Sequence, residues 1–144
     1  MTVFETSRFF PFLPPLVYQA FASPERLAKW WGPDGFTNTI ESFDFQEGGD
    51  WRFTMHSPDG KHYANVIRFE TLVEHQLLVL KHVSEPVFTL TIKLEPKSEG
   101  DQTGTLVTWQ QAFESDEVAV AMKPIVTQAN AQNLSRWLSE LQRP

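Results

Sequence analysis

Alternating hydrophobic and polar residues run along most of the chain and predict a protein built largely of β-strands. A first strand is predicted over Val3–Phe10. From Phe36 to Phe113 the alternation continues, and turns rich in Gly, Pro and Asp divide it into six further strands. In one of these strands Trp51, Phe53 and Met55 share a face, because successive side chains of a strand point to opposite sides.

Two short helices are predicted between the first and second strands. Pro14 and Pro15 open the first helix, since a proline in the first helical turn loses no intrahelical hydrogen bond. Ser23 is a suitable N-cap for the second helix, and Gly32 is expected to end it.

The spacing of apolar residues becomes helical after Asp116. We predict that Pro124 divides this region into a short helix over 117–122 and a long helix from Pro124 to about Gln142. Lys97–Gly104 is predicted to be a loop. The resulting order, β-α-α-β6-α, is an α+β fold whose antiparallel sheet needs one face covered, and only the long C-terminal helix can span it.

Composition and charge narrow the function classes. The chain has 144 residues, which predicts a single domain over 1–144, and its formal net charge is −6. No basic run is present, so we expect no nucleic-acid partner. The absence of cysteine excludes disulfides and thiolate chemistry. The first residues do not resemble a signal peptide and no apolar run reaches membrane-spanning length, so we expect a cytoplasmic protein, either monomer or homodimer.

Motifs for catalysis or metal binding are weak. His56 and His62 flank a turn, where two histidines are more often solvated than bound to metal, and no pair has the spacing of a zinc motif. We therefore predict no metal, no cofactor and no catalytic residue. An enzyme would need an acid or base facing inward, for which His82, a glutamate or Arg52 is the candidate.

Two segments carry a family resemblance, VYQAFASPERLAKWWGPDGFT and GGDWRFTMHSPDGKHYANVIRFE. Together with the long final helix, they resemble the START-like (SRPBCC) superfamily, in particular its branch related to the activator of the Hsp90 ATPase. The resemblance covers nearly the whole chain. It implies a helix-grip fold, in which a curved seven-stranded antiparallel sheet wraps around the C-terminal helix. It also implies a hydrophobic cavity between them, where many superfamily members bind lipids, polyketides or hormones.

This expected cavity gives the aromatic and buried polar residues a shared location. Trp30 and Trp31 are neighbours in a predicted helix, so we expect one to pack the helices against the sheet and the other to lie near the cavity mouth. Asn65 interrupts an apolar strand face, and a buried amide needs a partner. The predicted cavity residues are Trp31, Phe36, Trp51, Phe53, Met55, Tyr63, Asn65, Ile67, His82, Phe88, Trp109, Met122, Ala129 and Asn133.

Three functions remain open at this point. The first is a binding module for a small apolar or amphipathic molecule, with a cavity of several hundred Å³, the usual scale for ligand pockets. The second is a co-chaperone or other protein-interaction role, which would require an exposed apolar patch outside the cavity. The third is a cavity-based enzyme such as a cyclase or hydrolase.

Overall fold

A single antiparallel sheet and one long helix dominate the computed structural model, which describes residues 2–143. The elements are β1 (Thr2–Phe10), α1 (Pro14–Ala22), α2 (Pro24–Trp30), β2 (Thr37–Phe43), β3 (Asp50–His56), β4 (His62–Val73), β5 (Leu77–His82), β6 (Phe88–Glu99), β7 (Gln102–Phe113) and α3 (Asp116–Gln142). The predicted α+β helix-grip fold is confirmed.

The seven strands follow one another along the sheet with a single exception. Their spatial order is β1-β7-β6-β5-β4-β3-β2, and each neighbouring pair is antiparallel. The first strand therefore joins the sheet beside the last. Alternation along β6 buries Leu90, Ile92 and Leu94 on the face that packs inward. That face and α3 enclose the core.

The short helices begin where the sequence predicts. Pro14 opens α1, and the side chain of Ser23 accepts a hydrogen bond from the backbone N–H of Arg26 at the start of α2. Gly32 follows α2 with φ of +98°, a conformation that favours glycine. A side chain at this position would also collide with Met55, because an added Cβ lies 2.7 Å from its Cε atom.

Both tryptophans at the end of α2 are buried, with 1% of Trp30 and 6% of Trp31 exposed. Trp30 stacks on Trp137 with ring centroids 4.5 Å apart, and its Nε1 donates to the carbonyl of Ala20. Trp31 has already left the helix, with φ of −65° and ψ of 136°. The helical angle between neighbours therefore does not apply, and both rings enter the same core.

Two element boundaries differ from the sequence prediction. The segment predicted as a loop over Lys97–Gly104 is instead a tight hairpin, since β6 runs to Glu99 and β7 begins at Gln102. The two predicted C-terminal helices form the single helix α3, with Pro124 inside it. Proline has no N–H, so the carbonyl of Val120, four residues before Pro124, lacks its usual helical hydrogen bond. Both Pro124 and Val120 are exposed. Solvent can hydrate that carbonyl.

Arg136 ties α3 to the segment that follows α2. Its Nη1 donates to the carbonyls of Trp31, Gly32 and Pro33 at 2.8–3.2 Å. Its Nη2 donates to the carbonyls of Lys29 and Phe36 at 3.1 and 2.9 Å. One guanidinium thus fixes the path of the backbone between α2 and β2.

Candidate functional site

A cavity of about 230 Å³ lies between the inward face of the sheet and α3. Its walls come from the segment after α2, from strands β3 to β7 and from α3. The lining residues are Trp31, Gly32, Pro33, Phe53, Met55, Asn65, His82, Pro86, Phe88, Leu90, Trp109, Gln111, Met122, Ile125, Val126, Ala129, Asn130 and Asn133. The cavity is smaller than the several hundred Å³ predicted from the sequence.

Aromatic rings form much of the cavity wall. Trp31 and Trp109 lie with centroids 5.7 Å apart and planes tilted by 35°. Phe53 meets Trp31 edge-on at 6.4 Å. His82 stacks on Phe88 at 4.5 Å with nearly parallel rings. These rings give the cavity flat, apolar surfaces suited to a planar ligand.

Asn65 and His82 form one pair of hydrogen-bonded polar side chains on the cavity wall. His82 Nε2 lies 2.7 Å from Asn65 Oδ1, and His82 Nδ1 lies 2.9 Å from the carbonyl oxygen of Pro86. Asn65 Nδ2 donates to the carbonyl of Tyr63 at 2.9 Å. Burial lowers the pKa of His82, although hydrogen bonds with Pro86 and Ser84 oppose that shift. Neutral His82 is therefore favoured near pH 7.

A second polar group joins β7 to α3. Asn130 Nδ2 donates to Gln111 Oε1 at 3.0 Å, and both residues are at least nine-tenths buried. Within residues 2–143, the other amide atoms of this pair, Gln111 Nε2 and Asn130 Oδ1, have no protein partner. Asn133 is different, because its Oδ1 accepts from the backbone of Gly32 and its Nδ2 contacts the carbonyl of Trp30. The Gln111–Asn130 pair thus has one donor and one acceptor without a protein partner.

Charge is absent from the wall. His82 is the one ionisable side chain among the described residues that line the cavity. Arg52, considered above as an inward-facing group, lies on the opposite face of β3 with 57% of its side chain exposed beside Asp50. A charged acid or base that faces the cavity is therefore not found among residues 2–143.

The comparison with known families covers most of the chain. A family model described as "Activator of Hsp90 ATPase homolog 1-like protein" matches residues 12–143. The chain belongs to this family. No curated protein is significantly similar to it.

Solved structures of similar proteins share the fold of this family member. A protein from Arthrobacter aurescens is 25% identical, with a TM-score of 0.87 over 99% of this chain and 87% of that one. A protein from Chromobacterium violaceum is 22% identical, with a TM-score of 0.86 over the whole of both chains. An AHSA1-like protein from Aeromonas hydrophila is 13% identical, with a TM-score of 0.75 over 98% and 92% of the two chains.

Ten of the 14 residues predicted from the sequence line the cavity of this family member. They are Trp31, Phe53, Met55, Asn65, His82, Phe88, Trp109, Met122, Ala129 and Asn133. Two polar members, Asn65 and His82, are hydrogen-bond partners. That any of the ten contacts a ligand stays a prediction.

The other four predicted residues lie elsewhere. Trp51 and Ile67 pair across β3 and β4 and are fully buried in the core rather than at the cavity. Tyr63 lies at the beginning of β4 and is 46% exposed. Its ring centroid lies 6.4 Å from that of Phe36. Trp51, Tyr63 and Ile67 lie in the predicted strands, and Phe36 lies in the loop before β2. The cavity, however, occupies only the middle of the inward face of the sheet.

Sequence reasoning missed several lining residues. Gln111 and Asn130 line the cavity but are absent from the residues predicted for it. Their partnership, made across β7 and α3, is a tertiary contact without a sequence signal. Ile125, which also was not predicted, lines the cavity rim with 66% exposure.

Two other surface features lie outside the cavity. His56 Nδ1 lies 2.7 Å from His62 Nδ1 at the exposed end of a hairpin, and no group of three metal-ligating side chains occurs within residues 2–143. An open groove of about 620 Å³ lies beside Tyr18, Glu74 and His75. Its exposed walls mix charged and apolar groups. Within the same residues, no helix has both the length and the apolar character needed to cross a membrane.

Proposed function

We propose that this protein is a binding module for a small apolar or amphipathic molecule, which it holds between the sheet and α3. The observation that carries the proposal is the Gln111–Asn130 pair, which is buried at the cavity and has a donor and an acceptor without a protein partner. Both atoms remain accessible in the cavity, so a ligand held there can hydrogen-bond to them.

The remainder of the cavity supports the same function. Apolar walls with a few convergent polar groups are typical of small-molecule sites. The indole N–H of Trp109 is also buried and has no acceptor among the described residues. Trp51 shares this property but does not line the cavity.

The test is a titration of the isotopically labelled protein with small neutral, charged, aromatic and long-chain compounds, followed by NMR. Binding in the cavity is expected to move the indole N–H signals of Trp31 and Trp109 and the side-chain amide signals of Gln111 and Asn130. The indole N–H of Trp137, bonded to the carbonyl of Val17, is an internal control. If no compound at millimolar concentration moves the cavity signals, the proposal is wrong.

A co-chaperone role is the second candidate, and one feature of the surface favours it. Leu13, Leu16 and Val73 are large apolar residues with 39–52% exposure. An open groove of about 560 Å³ runs beside Pro14 and Val73, outside the cavity. The family's name suggests a chaperone ATPase as the partner. Addition of the protein to a purified Hsp90-type chaperone would then raise its ATPase rate, and a Leu13→Asp variant would not. An unchanged rate would rule this role out.

A further inference from the structure

The volume of the cavity limits the size of the ligand, provided that the proposed binding function holds. A volume of 230 Å³ equals about eight water molecules at ~30 Å³ each. Pockets for drug-sized ligands are commonly ~300–1,000 Å³. A sterol or a full fatty acyl chain therefore exceeds the space, whereas a molecule with a short or branched apolar body fits.

The charge of the wall restricts the ligand further. An ionised group buried without a partner is strongly disfavoured, and no carboxylate, ammonium or guanidinium lines the cavity within residues 2–143. His82 is the one ionisable group among these lining residues, and burial favours its neutral form. The ligand expected from this wall is neutral.

The Gln111–Asn130 pair offers the cavity a hydrogen-bond donor and an acceptor on side chains that touch. Asn130 Nδ2 donates to Gln111 Oε1 at 3.0 Å, which leaves Gln111 Nε2 as a donor and Asn130 Oδ1 as an acceptor. Neither atom is closed off from the cavity, unlike the indole nitrogen of Trp109. A molecule in the cavity can therefore bond to both side chains.

Neighbouring protein groups do not supply the missing bonds of this pair. Gln111 lies opposite Phe4 on β1 and Leu90 on β6, whose side chains have no polar atoms. Asn133, one turn along α3 from Asn130, already bonds to backbone groups at and after the end of α2. The bonds must come from water or from a ligand.

The requirement is the same whichever way the two amides are turned. If both rotate by 180°, Gln111 Nε2 donates to Asn130 Oδ1, and the free atoms become Gln111 Oε1 and Asn130 Nδ2. One donor and one acceptor remain free in either arrangement. The complementary ligand group therefore has one acceptor and one donor and carries no charge.

We propose that the ligand is a small neutral carboxamide, whose amide group pairs with Gln111 and Asn130 and whose apolar body lies against the remaining wall. The carbonyl oxygen of the ligand accepts from Gln111, and its N–H donates to Asn130. A carboxamide combines an acceptor and a donor in one uncharged group. Because the two side chains are in contact, one small ligand can reach both.

The test uses four ligands that have the same number of non-hydrogen atoms and the same branched body. Isovaleramide has the donor and the acceptor, 4-methylpentan-2-one lacks the donor, 2,4-dimethylpent-1-ene lacks both, and isovalerate adds charge. Their dissociation constants are measured by NMR titration of the wild-type protein at pH 7. Isovalerate is expected to bind more weakly than isovaleramide, and equal or tighter binding of isovalerate would overturn the assignment.

A double variant isolates the proposed hydrogen bonds. Gln111→Met with Asn130→Leu replaces both amides by apolar side chains of similar size, a change that can be nearly neutral for stability because no partner is left unpaired. The measured quantity is the affinity for isovaleramide relative to the ketone. This ratio should fall about two- to tenfold in the variant, the effect of one hydrogen bond. The hydration of each free ligand is the same in both experiments and cancels.

The matched control removes two amides from the same elements outside the cavity. Gln110→Met with Gln128→Met changes a β7 residue that bonds to Glu5 and an exposed residue of α3. The ratio should stay at its wild-type value in this control. An unchanged ratio in the cavity variant, or an equal fall in the control, would overturn the carboxamide assignment.

The outcomes separate this inference from the proposed function. If neither these four ligands nor the broader set of compounds binds, the binding function itself is wrong. If other compounds bind but isovaleramide does not, the protein is a binding module and the carboxamide assignment is wrong. If the double variant does not fold, nuclear Overhauser contacts in the wild type decide. The CH2 group beside the carboxamide should then contact the side-chain amide protons of Gln111 and Asn130, and contacts only elsewhere in the cavity would overturn the assignment.

Discussion

Arg136 shows how one side chain holds the cavity's border in place. Its guanidinium donates to five carbonyls between Lys29 and Phe36, and Trp31 and Gly32 in that segment line the cavity. Partial burial lowers the pKa of Arg136, with Asp34 opposing this shift, and the group stays charged at neutral pH. The carbonyls replace the water that this cation would otherwise keep.

Replacing Arg136 with Met should therefore loosen the segment and destabilise the fold. Hydrogen bonds to charged groups contribute about 1.5–3 kcal/mol each and are not additive, so we expect a loss of about 2–4 kcal/mol in the free energy of unfolding. Urea unfolding measures this value. Arg52→Met, which removes an exposed arginine, should change it by no more than about 0.5 kcal/mol. Equal losses in the two variants would contradict the role of Arg136.

His82 makes stability depend on pH in a predictable direction. Burial lowers its pKa in the folded state from the ordinary value of 6.5, so below that value the unfolded chain takes up the proton more readily. The free energy of unfolding should fall as the pH drops through 6.5 toward the lower folded pKa. Asn65, Ser84, Pro86 and Phe88 are its neighbours, and none of them is ionisable.

The measurement is urea unfolding at several pH values between 7.5 and 5.0, for the wild type and for His82→Gln. Glutamine does not titrate, so the variant should lose less stability over this range. Parallel slopes for His82→Gln and the wild type would show that His82 does not titrate as argued.

At the residue scale, the sequence predicts which residues face inward better than where along the strand a cavity lies. Asn65 and Ile67 share a face of β4, as alternation predicts, but only Asn65 reaches the cavity. Ile67 lies opposite Trp51 in the filled part of the core. Position along the strand is decided by how α3 crosses the sheet, and residue spacing holds no information about this crossing.

At the scale of elements, alternation and capping predict the fold well. Ser23 caps α2 as expected, and β3 turns Trp51 and Phe53 inward. The error at Pro124 has a physical origin. A proline inside a helix removes a single hydrogen bond and strains one turn, and a helix that is continuous on both sides can tolerate this. The packing of α3 on the sheet stabilises the continuous helix more than Pro124 destabilises it.

Pro124→Ala should consequently stabilise α3. The new N–H can bond the carbonyl of Val120, and alanine favours the helix, so the free energy of unfolding should rise by about 1–3 kcal/mol. Hydrogen exchange over residues 116–123 should slow at the same time. Lys123→Ala is the neighbouring control and should change stability by about 0.5 kcal/mol or less. A decrease on Pro124→Ala would mean that the proline suits the native backbone.

At the scale of the whole molecule, α3 packs closely against its neighbours along one part of its length and borders a cavity along another. Trp30 and Trp137 stack where α2 meets α3, while the part of α3 from Met122 to Asn133 borders the cavity. Proteins usually fill such space to near crystal density. An unfilled cavity therefore lowers stability, and a ligand site is a reason for a fold to keep one.

Ala129→Leu tests this trade of stability for binding directly. The added carbon atoms project from α3 into the cavity, so the variant should gain about 0.5–2 kcal/mol in unfolding free energy, as cavity-filling substitutions commonly do. It should also lose binding of every ligand that the wild type accepts. Ala131→Leu places the same side chain on an exposed position of the same helix and should leave binding intact. If Ala129→Leu instead binds normally and is destabilised, the residue borders filled core, and the space beside it does not accept a ligand.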